Sequence, residues 1–180
     1  FNWLFRKCAN MMAGISEIPK PVIAEVQGVA AAAGCQLVAS CDLALASQEA
    51  TFGVNGVNIG LFCSTPMVAL SRNISRKKTF EMLVTGEFLT AEDAQKEGLI
   101  NKVTEANNLN AETMKMAVKI SEKLSSAVKI GKEAFYKQLE LSVDDAYDYT
   151  AEVITENMLH RDTEEGISAF IEKRLPTWQD

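Results

Sequence analysis

Few side chains in this chain suit acid–base, nucleophilic or metal chemistry. The 180 residues contain a single histidine, His160, and four cysteines, Cys8, Cys35, Cys41 and Cys63. One histidine excludes most histidine-based catalysis and most histidine-rich metal sites. The cysteines lack the short paired spacings of a structural zinc site, so we expect no metal. Reduced thiols that pack as small apolar side chains are the simplest interpretation of all four.

A cysteine nucleophile would need a base or an electropositive setting that lowers its pKa. Cys63 has no histidine within sequence reach. His160 lies in a charged segment, HRDTEE, that is typical of a solvent-facing helix. We therefore do not expect a thiol-based mechanism.

The composition indicates an acidic globular domain. The chain has 18 Lys and Arg against 24 Asp and Glu, a formal net charge of −6, and is 47% hydrophobic. This length and apolar fraction are typical of one domain with a sizeable core. We expect no nucleic-acid partner, because phosphate binding needs clustered Lys and Arg.

Neither a membrane span nor a targeting peptide is visible. The most apolar tract, residues 22–45, is interrupted by Glu25, Gln36 and Asp42, so we expect no spanning helix. The chain opens at Phe1 on a helical pattern, which predicts a processing boundary with any targeting peptide upstream. We expect a soluble protein, cytoplasmic in a bacterium or in the mitochondrial matrix of a eukaryote.

The first part of the chain has the pattern of mixed helix and strand. Leu4, Cys8, Met11 and Ile15 recur at helical spacing and predict one buried helical face, which ends before Pro19.

Strands are predicted next at residues 22–28, 42–47 and 51–53, with a tightly packed helix at 31–41 and an aperiodic loop at 54–66.

Helix is predicted from Pro66 to about residue 84. Thr90 and Asp93 form a capping box for a further helix that ends at Gly98, and a last strand follows at 99–103.

The remainder of the chain is predicted to be helical from Ala111 onward, with breaks near Ser125, Ser142 and Asp162. Its helices carry apolar stripes, formed by Met114, Val118, Ile130, Phe135, Tyr147, Val153 and Met158. These stripes pack either within the chain or on a neighbouring copy, and the pattern leaves both open. We therefore predict a mixed core at residues 1–105 and a helical region at residues 106–180.

Several segments, in order, carry a family resemblance. KPVIAEVQGVAAAAGCQLVASCDLALAS (20–47) resembles the central segment of the crotonase, or enoyl-CoA hydratase/isomerase, superfamily. ATFGVNGVNIGLF (50–62), TGEFLTAEDAQKEGLINKV (85–103) and EGISAFIEKRLPTW (165–178) resemble the segments that follow in that superfamily. Within it, AAAGCQLVASCD and NIGLFCSTP are most similar to one particular group of members.

The resemblance implies an α/β fold, a spiral of ββα turns followed by a helical trimerisation region. The usual assembly is a trimer or a dimer of trimers. The implied substrate or ligand is an acyl thioester of coenzyme A (CoA), with no separate cofactor. The N-terminal turns of the spiral are absent from these 180 residues and are expected upstream of Phe1, together with part of the CoA site.

The shared chemistry of this superfamily stabilises an enolate oxyanion with two backbone N–H groups, one of them at a helix N-terminus. By resemblance, Ala33 supplies that N–H, with Gly34 beside it in the substrate pocket. The other donor is expected upstream of residue 1. Helix–strand packing alone is the alternative reason for small residues at this turn.

Hydratases of the superfamily also use two glutamates, and this chain has neither. Gln36 stands at the first position and Gly56 at the second. A carboxamide orients water but does not exchange protons near neutral pH. Efficient hydration by the usual mechanism is therefore not expected.

No other residue replaces these acids convincingly. Glu25, Asp42 and Glu49 are the candidates, and Asp42 matches a family residue with a structural character. Cys63 and Ser64 fall in the substrate pocket, where the family often has a Pro-Gly turn.

Lys173 matches a family position that reaches a CoA phosphate from a neighbouring subunit, and Arg174 beside it makes contact with an anion plausible. An ordinary surface lysine is the alternative interpretation.

Three functions remain open at this point. The first is an acyl-CoA enzyme, hydratase-like, that keeps the oxyanion hole and uses another proton donor or needs fewer acids. The second is a catalytically inactive acyl-CoA binder with a regulatory role. The third is a structural subunit that forms oligomers through its helical region.

Overall fold

The computed structural model describes residues 1–179, in which helices and short strands alternate up to Thr104 and helix dominates afterwards. The helices are α1 (Asn2–Glu17), α2 (Ala33–Ser40), α3 (Pro66–Asn73), α4 (Arg76–Thr85), α5 (Ala91–Glu97), α6 (Leu109–Ser121), α7 (Ser125–Gln138), α8 (Val143–Met158) and α9 (Arg161–Glu172). The strands are β1 (Ile23–Val26), β2 (Val29–Ala31), β3 (Leu43–Ser47), β4 (Thr51–Gly53), β5 (Phe88–Thr90) and β6 (Lys102–Thr104). Within residues 1–179, every helix is too short or too polar to cross a membrane.

The strands form two three-stranded sheets. In the first, β3 lies between β1 and β6 and is parallel to both. In the second, β4 lies between β2, which is parallel to it, and β5, which is antiparallel. The last residues of β2 and β4, Ala31 and Gly53, are register partners. The segments that follow these two strands therefore begin side by side.

A continuous apolar core connects both sheets with helices α2 to α5. Phe52 on β4 and Leu70 on α3 are fully buried in it, and alanines on α2 and β3 let helix and sheet approach closely. Burial of a side chain as large as Phe or Leu contributes about 1.5–3 kcal/mol. This core fixes β4 and α2, the elements that meet at the candidate site.

Most of the predicted elements are present. The strands predicted at 22–28, 42–47 and 51–53 correspond to β1, β3 and β4, and the helix predicted at 31–41 corresponds to α2. Strands β2 and β5, each of three residues, have no counterpart among the predictions. Both pair with β4. The loop predicted at 54–66 contains a short 3₁₀ helix, Asn55–Ile59.

The predicted buried face of α1 is wrong in part. Ile15 is buried, but Leu4 and Met11 are 54% and 55% exposed. Met12, outside the predicted stripe, is buried instead. The buried residues of α1, Met12 and Ile15, lie toward its C-terminal end, and its apolar N-terminal residues have no core to enter within the described chain.

The chain divides into two compact units, Phe1–Ala117 and the residues from Val118 onward. In the second unit, α7 packs on α8 and α8 on α9. The predicted apolar stripes of this unit are largely uncovered: Val118, Phe135, Tyr147 and Met158 are each more than half exposed. Packing among the described residues therefore does not account for these stripes.

After α9 the chain turns at Lys173 and folds back along the helix. The Arg174 guanidinium donates to both oxygens of Glu165, over 2.6 Å to Oε1 and 2.9 Å to Oε2. The Thr177 N–H donates to Glu165 Oε1 over 2.8 Å. Glu165, Arg174 and Thr177 together form what we call the tail clamp. Trp178 Nε1 extends the attachment by donating to the Glu122 carbonyl over 3.2 Å.

Candidate active site

The candidate site begins where β2 turns into α2. Ala32 sits between them with φ 47° and ψ −111°, in a region that non-glycine residues rarely adopt. The Ala32 N–H donates to the Gly53 carbonyl at the end of β4 over 2.8 Å. The Ala32 carbonyl accepts from the Gln36 N–H over 3.0 Å, which starts the helix. The turn is therefore held on both sides of one strained residue.

The N-terminus of α2 has no cap of its own. Ala32, the N-cap residue, has no side chain that could accept from the helix, and the first turn contains no acidic residue. The first N–H groups of a helix have no partner within the helix. Ala33 and Gly34 are exposed, and the space beside the Gly34 α-carbon is open. This arrangement suits the binding of a carbonyl oxygen or an oxyanion by the backbone.

Gln36 lies directly behind this turn and is 4% exposed. Its Oε1 has no hydrogen-bond partner within residues 1–179. A buried, unpaired amide oxygen costs about 1–3 kcal/mol, which an ordinary core position would not retain. The carboxamide is thus a polar group next to the uncapped helix start, and it carries no exchangeable acid proton.

Gly56 is enclosed by its own loop. A Cβ at this position would lie 2.8 Å from the Leu61 carbonyl oxygen and 2.9 Å from Cys63 Sγ. The Leu61 N–H donates to the Gly56 carbonyl over 2.9 Å, which closes the loop. Because one of these contacts is with backbone, a glutamate does not fit here unless the loop moves. The loop therefore lacks the second carboxylate and, in this conformation, has no space for one.

The thiols near this loop are shielded. Cys63 is buried and Cys35, on the first turn of α2, is 0% exposed. Burial raises the pKa of Cys35 to about 12, a nearby Gly53 N–H opposes the rise, and Cys63 adds to it. All four cysteines are free thiols, of which Cys35 and Cys63 are buried. Ser64 is exposed, and its Oγ donates to the Phe62 carbonyl over 3.3 Å.

The three candidate replacement acids lie in structural or exposed settings. Asp42 Oδ2 accepts from the Val22 N–H over 2.6 Å and so fixes the start of β1. Glu25 is exposed and accepts from Asn110 Nδ2 over 3.3 Å. Glu49 is exposed beside the turn between β3 and β4. These three residues therefore do not replace the missing catalytic glutamates.

In the second unit, Lys173 is exposed and caps α9 in the left-handed conformation, with φ 56°. The charge of Arg174, its neighbour, is engaged by Glu165 and Glu172. A cavity of about 440 Å³ opens between α9 and the tail, and Asp162, Glu164 and Glu165 line it. Arg161 and Arg174 line the same cavity, and Lys173 is not among its lining residues.

Two features of the site were outside the sequence predictions. The strained Ala32 is one, because a run of four alanines does not show which of them has positive φ. The other is the contact between Gly53 and Ala32, which depends on the pairing of β2 with β4.

No cluster of three or more metal-ligating side chains occurs among the described residues.

Comparison with known proteins identifies relatives over nearly the whole chain. The family model for enoyl-CoA hydratase/isomerase matches residues 4–180. Mitochondrial enoyl-CoA hydratase domain-containing protein 3 of Xenopus laevis is 51% identical over 97% of this chain, and the Homo sapiens protein is 49% identical over the same share. The group that AAAGCQLVASCD and NIGLFCSTP resemble is therefore enoyl-CoA hydratase domain-containing protein 3, as the sequence comparison predicted.

Solved structures agree in fold. A crystal structure of enoyl-CoA hydratase from Mycobacterium smegmatis has a TM-score of 0.97 at 50% identity, over 99% of this chain and 70% of that one. The crystal structure of human enoyl coenzyme A hydratase domain-containing protein 3 has a TM-score of 0.94 at 49% identity, over 97% of this chain and 69% of that one. The chain spans 60% and 58% of the length of the frog and human relatives.

Proposed function

The chain belongs to the enoyl-CoA hydratase/isomerase family, and on that premise we propose that it binds an acyl-CoA with the thioester oxygen at the start of α2. The uncapped N-terminus of α2 behind the strained Ala32 is the observation that carries the proposal. Ala33 provides a backbone N–H there, and the open face of Gly34 lets the ligand approach. In this proposal the second donor of the oxyanion hole comes from outside these 180 residues.

Backbone donors at this position polarise the thioester carbonyl and stabilise negative charge that develops on its oxygen. Such donors are already oriented before the reaction, so they lose little free energy to reorganisation. One donor of this kind contributes about 2.7–4 kcal/mol to transition-state binding. Ala33 uses its main chain only, so its methyl group does not remove the function.

Proton transfer is the weak part of this site. Gln36 does not exchange a proton near neutral pH, and the loop around Gly56 leaves no room for a carboxylate. Loss of one positioned acid or base costs about 10²–10⁴ in rate, and two such losses need not multiply. The function supported best is therefore a hydratase-like acyl-CoA protein that polarises its ligand but hydrates enoyl-CoA slowly or not at all.

A catalytically inactive acyl-CoA binder with a regulatory role is the second candidate. The enclosed loop at Gly56 favours it, because reversion to an active site would require a new loop conformation as well as a new residue.

Self-association is part of the proposal. The exposed stripes of the second unit, with Phe135 at 56% and Tyr147 at 74% exposure, suit a trimer or a dimer of trimers. A purely structural oligomer-forming subunit is the third candidate and rests on the same stripes. For the compartment, the mitochondrial names of the frog and human relatives support a mitochondrial location if the source is a eukaryote.

Lys173 is proposed to contact a phosphate of CoA. Lys173 is exposed in the left-handed cap of α9, and the tail clamp engages Arg174 beside it. Replacement by glycine suits the backbone and removes the charge, so Lys173→Gly should fold normally but discriminate less between CoA and 3′-dephospho-CoA. Equal discrimination by the variant and the wild type would remove Lys173 from the site.

The central experiment combines calorimetry with a hydration assay, both on crotonyl-CoA. We expect binding, and hydration at least about 10²-fold slower than that of a family member with both glutamates. Hydration within tenfold of such an enzyme would overturn the account of the missing acids. Absence of binding would leave the structural subunit as the function.

A further inference from the structure

The strained turn at Ala32 needs a structural cause. Residues held in sparsely populated φ/ψ regions cost about 1–3 kcal/mol and persist only where their surroundings fix them. Ala32 and Lys173 are the non-glycine residues with positive φ in the described chain. At Ala32 the helix itself contributes only the bond from the Gln36 N–H. The remaining constraint has to come from another element.

That element is β4, through its last residue. The Gly53 carbonyl accepts from the Ala32 N–H over 2.8 Å, and Gly53 is the register partner of Ala31. The Gly53 carbonyl is thus directed at the residue before α2 and fixes the turn relative to β4.

Gly53 is a glycine for reasons of space. Its φ is not positive, so it does not need the conformational freedom of glycine. A Cβ would lie 2.7 Å from Cδ1 and 2.8 Å from Cγ of the Phe88 ring. Phe88 is the register partner of Gly53 on β5. The ring therefore lies directly against the residue that holds Ala32.

We infer that Gly53 and Phe88 are positioning residues, which together hold the Ala32 turn and thereby direct the Ala33 N–H at the ligand. The ring of Phe88, which is 38% exposed, covers the bare α-carbon of Gly53. A side chain that is too large at Gly53 or too small at Phe88 displaces the Gly53 carbonyl, and the turn follows it. The inference rests on the proposed function, since it concerns how the thioester oxygen is bound.

The test measures the polarisation of the bound thioester carbonyl rather than the stability of the protein. Infrared difference spectra of crotonyl-CoA, labelled with ¹³C at the thioester carbonyl, report how strongly the bound carbonyl is polarised. In the wild type the band should move to lower wavenumber on binding. Gly53→Ala overfills the space and Phe88→Val underfills it, so each should lose most of this shift. The double variant Gly53→Ala/Phe88→Val restores the volume in part and should regain the shift.

Gly28→Ala is the matched control. A Cβ at Gly28 meets nothing within 4 Å, so this substitution should leave the carbonyl band unchanged. Should Gly53→Ala fail to fold, the comparison of Phe88→Val with the double variant tests the same compensation.

The outcomes separate the two proposals. Absence of a shift in the wild type contradicts the proposed function. A wild-type shift that both folded single variants retain overturns the positioning role. Single variants that lose the shift, with a double variant that does not regain it, overturn the steric role of Phe88.

Discussion

Helices α2 and α5 begin in opposite ways. At α5, Thr90 Oγ1 accepts from the Asp93 N–H over 3.1 Å, Glu92 and Asp93 lie in the first turn, and Gly98 ends the helix with φ 88°. At α2, an alanine with strained φ stands at the N-cap, and no side chain accepts from the first turn. The predicted Thr90 cap and Gly98 cap of α5 are confirmed. Helix α2 obtains its geometry from β4 instead.

This difference indicates which helix end is available to a ligand. At α5 the Thr90 side chain accepts from one N–H group of the first turn, that of Asp93, and the two acids complement the helix dipole. At α2 no side chain accepts from the first turn. In the proposed function these donors bind the thioester oxygen, and the helix dipole favours the negative charge that develops on it. The C-terminal ends of two helices differ in a similar way. Helix α5 ends at a glycine in the left-handed conformation, whereas α9 ends at Lys173 in the same conformation.

The largest effect is expected from giving α2 the acid that α5 has. Gly34→Asp places a carboxylate in the first turn, where the space is open. It should weaken crotonyl-CoA binding by about 10²-fold, the scale of one lost oxyanion donor. It should also raise the melting temperature, since an acid near a helix N-terminus stabilises by about 0.3–1 kcal/mol. Calorimetry and thermal unfolding measure the two effects.

Gly34→Ala is the control for Gly34→Asp, because it adds volume without charge. Binding should fall much less in this variant. Equal losses in the two variants would show that crowding, and not charge at the helix start, sets the affinity.

Gln36→Glu should have the next largest effect. A carboxylate at a site 4% exposed has a raised pKa in the folded state. The variant should therefore match the wild type below the unfolded pKa of about 4.3 and lose stability as pH rises above it. We expect a loss of about 1–3 kcal/mol by pH 8, measured by urea unfolding at pH 4 and pH 8.

Gln36→Met keeps the shape without polar atoms, and its stability should not depend on pH in this way. A Gln36→Glu variant as stable as the wild type at pH 8 would indicate that the carboxylate reaches solvent or a partner, contrary to the burial of Gln36.

Thr90→Ala should remove the cap of α5 and destabilise the protein by about 1 kcal/mol. Crotonyl-CoA affinity should stay unchanged, because this helix start uses its donors locally. Urea unfolding and calorimetry test the pair of expectations. A parallel fall in affinity would mean that α5 and the α2 turn are coupled.

The smallest effect concerns the tail clamp after α9. The hydrogen bond from Arg174, assisted by the Thr177 N–H, lowers the pKa of Glu165 to about 2. The clamp should therefore be fully present above pH 4.5 and be lost as pH falls toward 2. Trp178 fluorescence in a Trp3→Phe background reports its release. In Glu165→Gln this acid transition should disappear, and its persistence would assign the transition to other carboxylates.

Sequence patterns sufficed where structure depends on neighbours in the chain. Thr90, Asp93 and Gly98 signal both ends of α5 within nine residues, and the motifs at 20–47 and 50–62 identify the family. The patterns failed where contacts with distant segments determine the structure. The exposed Leu4 and Met11 of α1 and the pairing of β2 with β4 follow from tertiary contacts that periodicity does not contain.

The candidate site shows the same division. The resemblance located Ala33, Gln36 and Gly56 in the sequence, and the structure gives two of them a physical setting. The orphaned Oε1 of Gln36 and the enclosed α-carbon of Gly56 depend on how α2 and the loop after β4 fold. The type of residue alone could not show that a carboxylate at position 56 lacks room.

The most direct test of the central claim is the infrared difference spectrum of ¹³C-labelled crotonyl-CoA bound to the wild-type protein. If the N–H groups at the start of α2 bind the thioester oxygen, its carbonyl band moves to lower wavenumber than in water, and Gly34→Asp abolishes that movement. A bound ligand whose carbonyl band keeps its position in water would contradict the account.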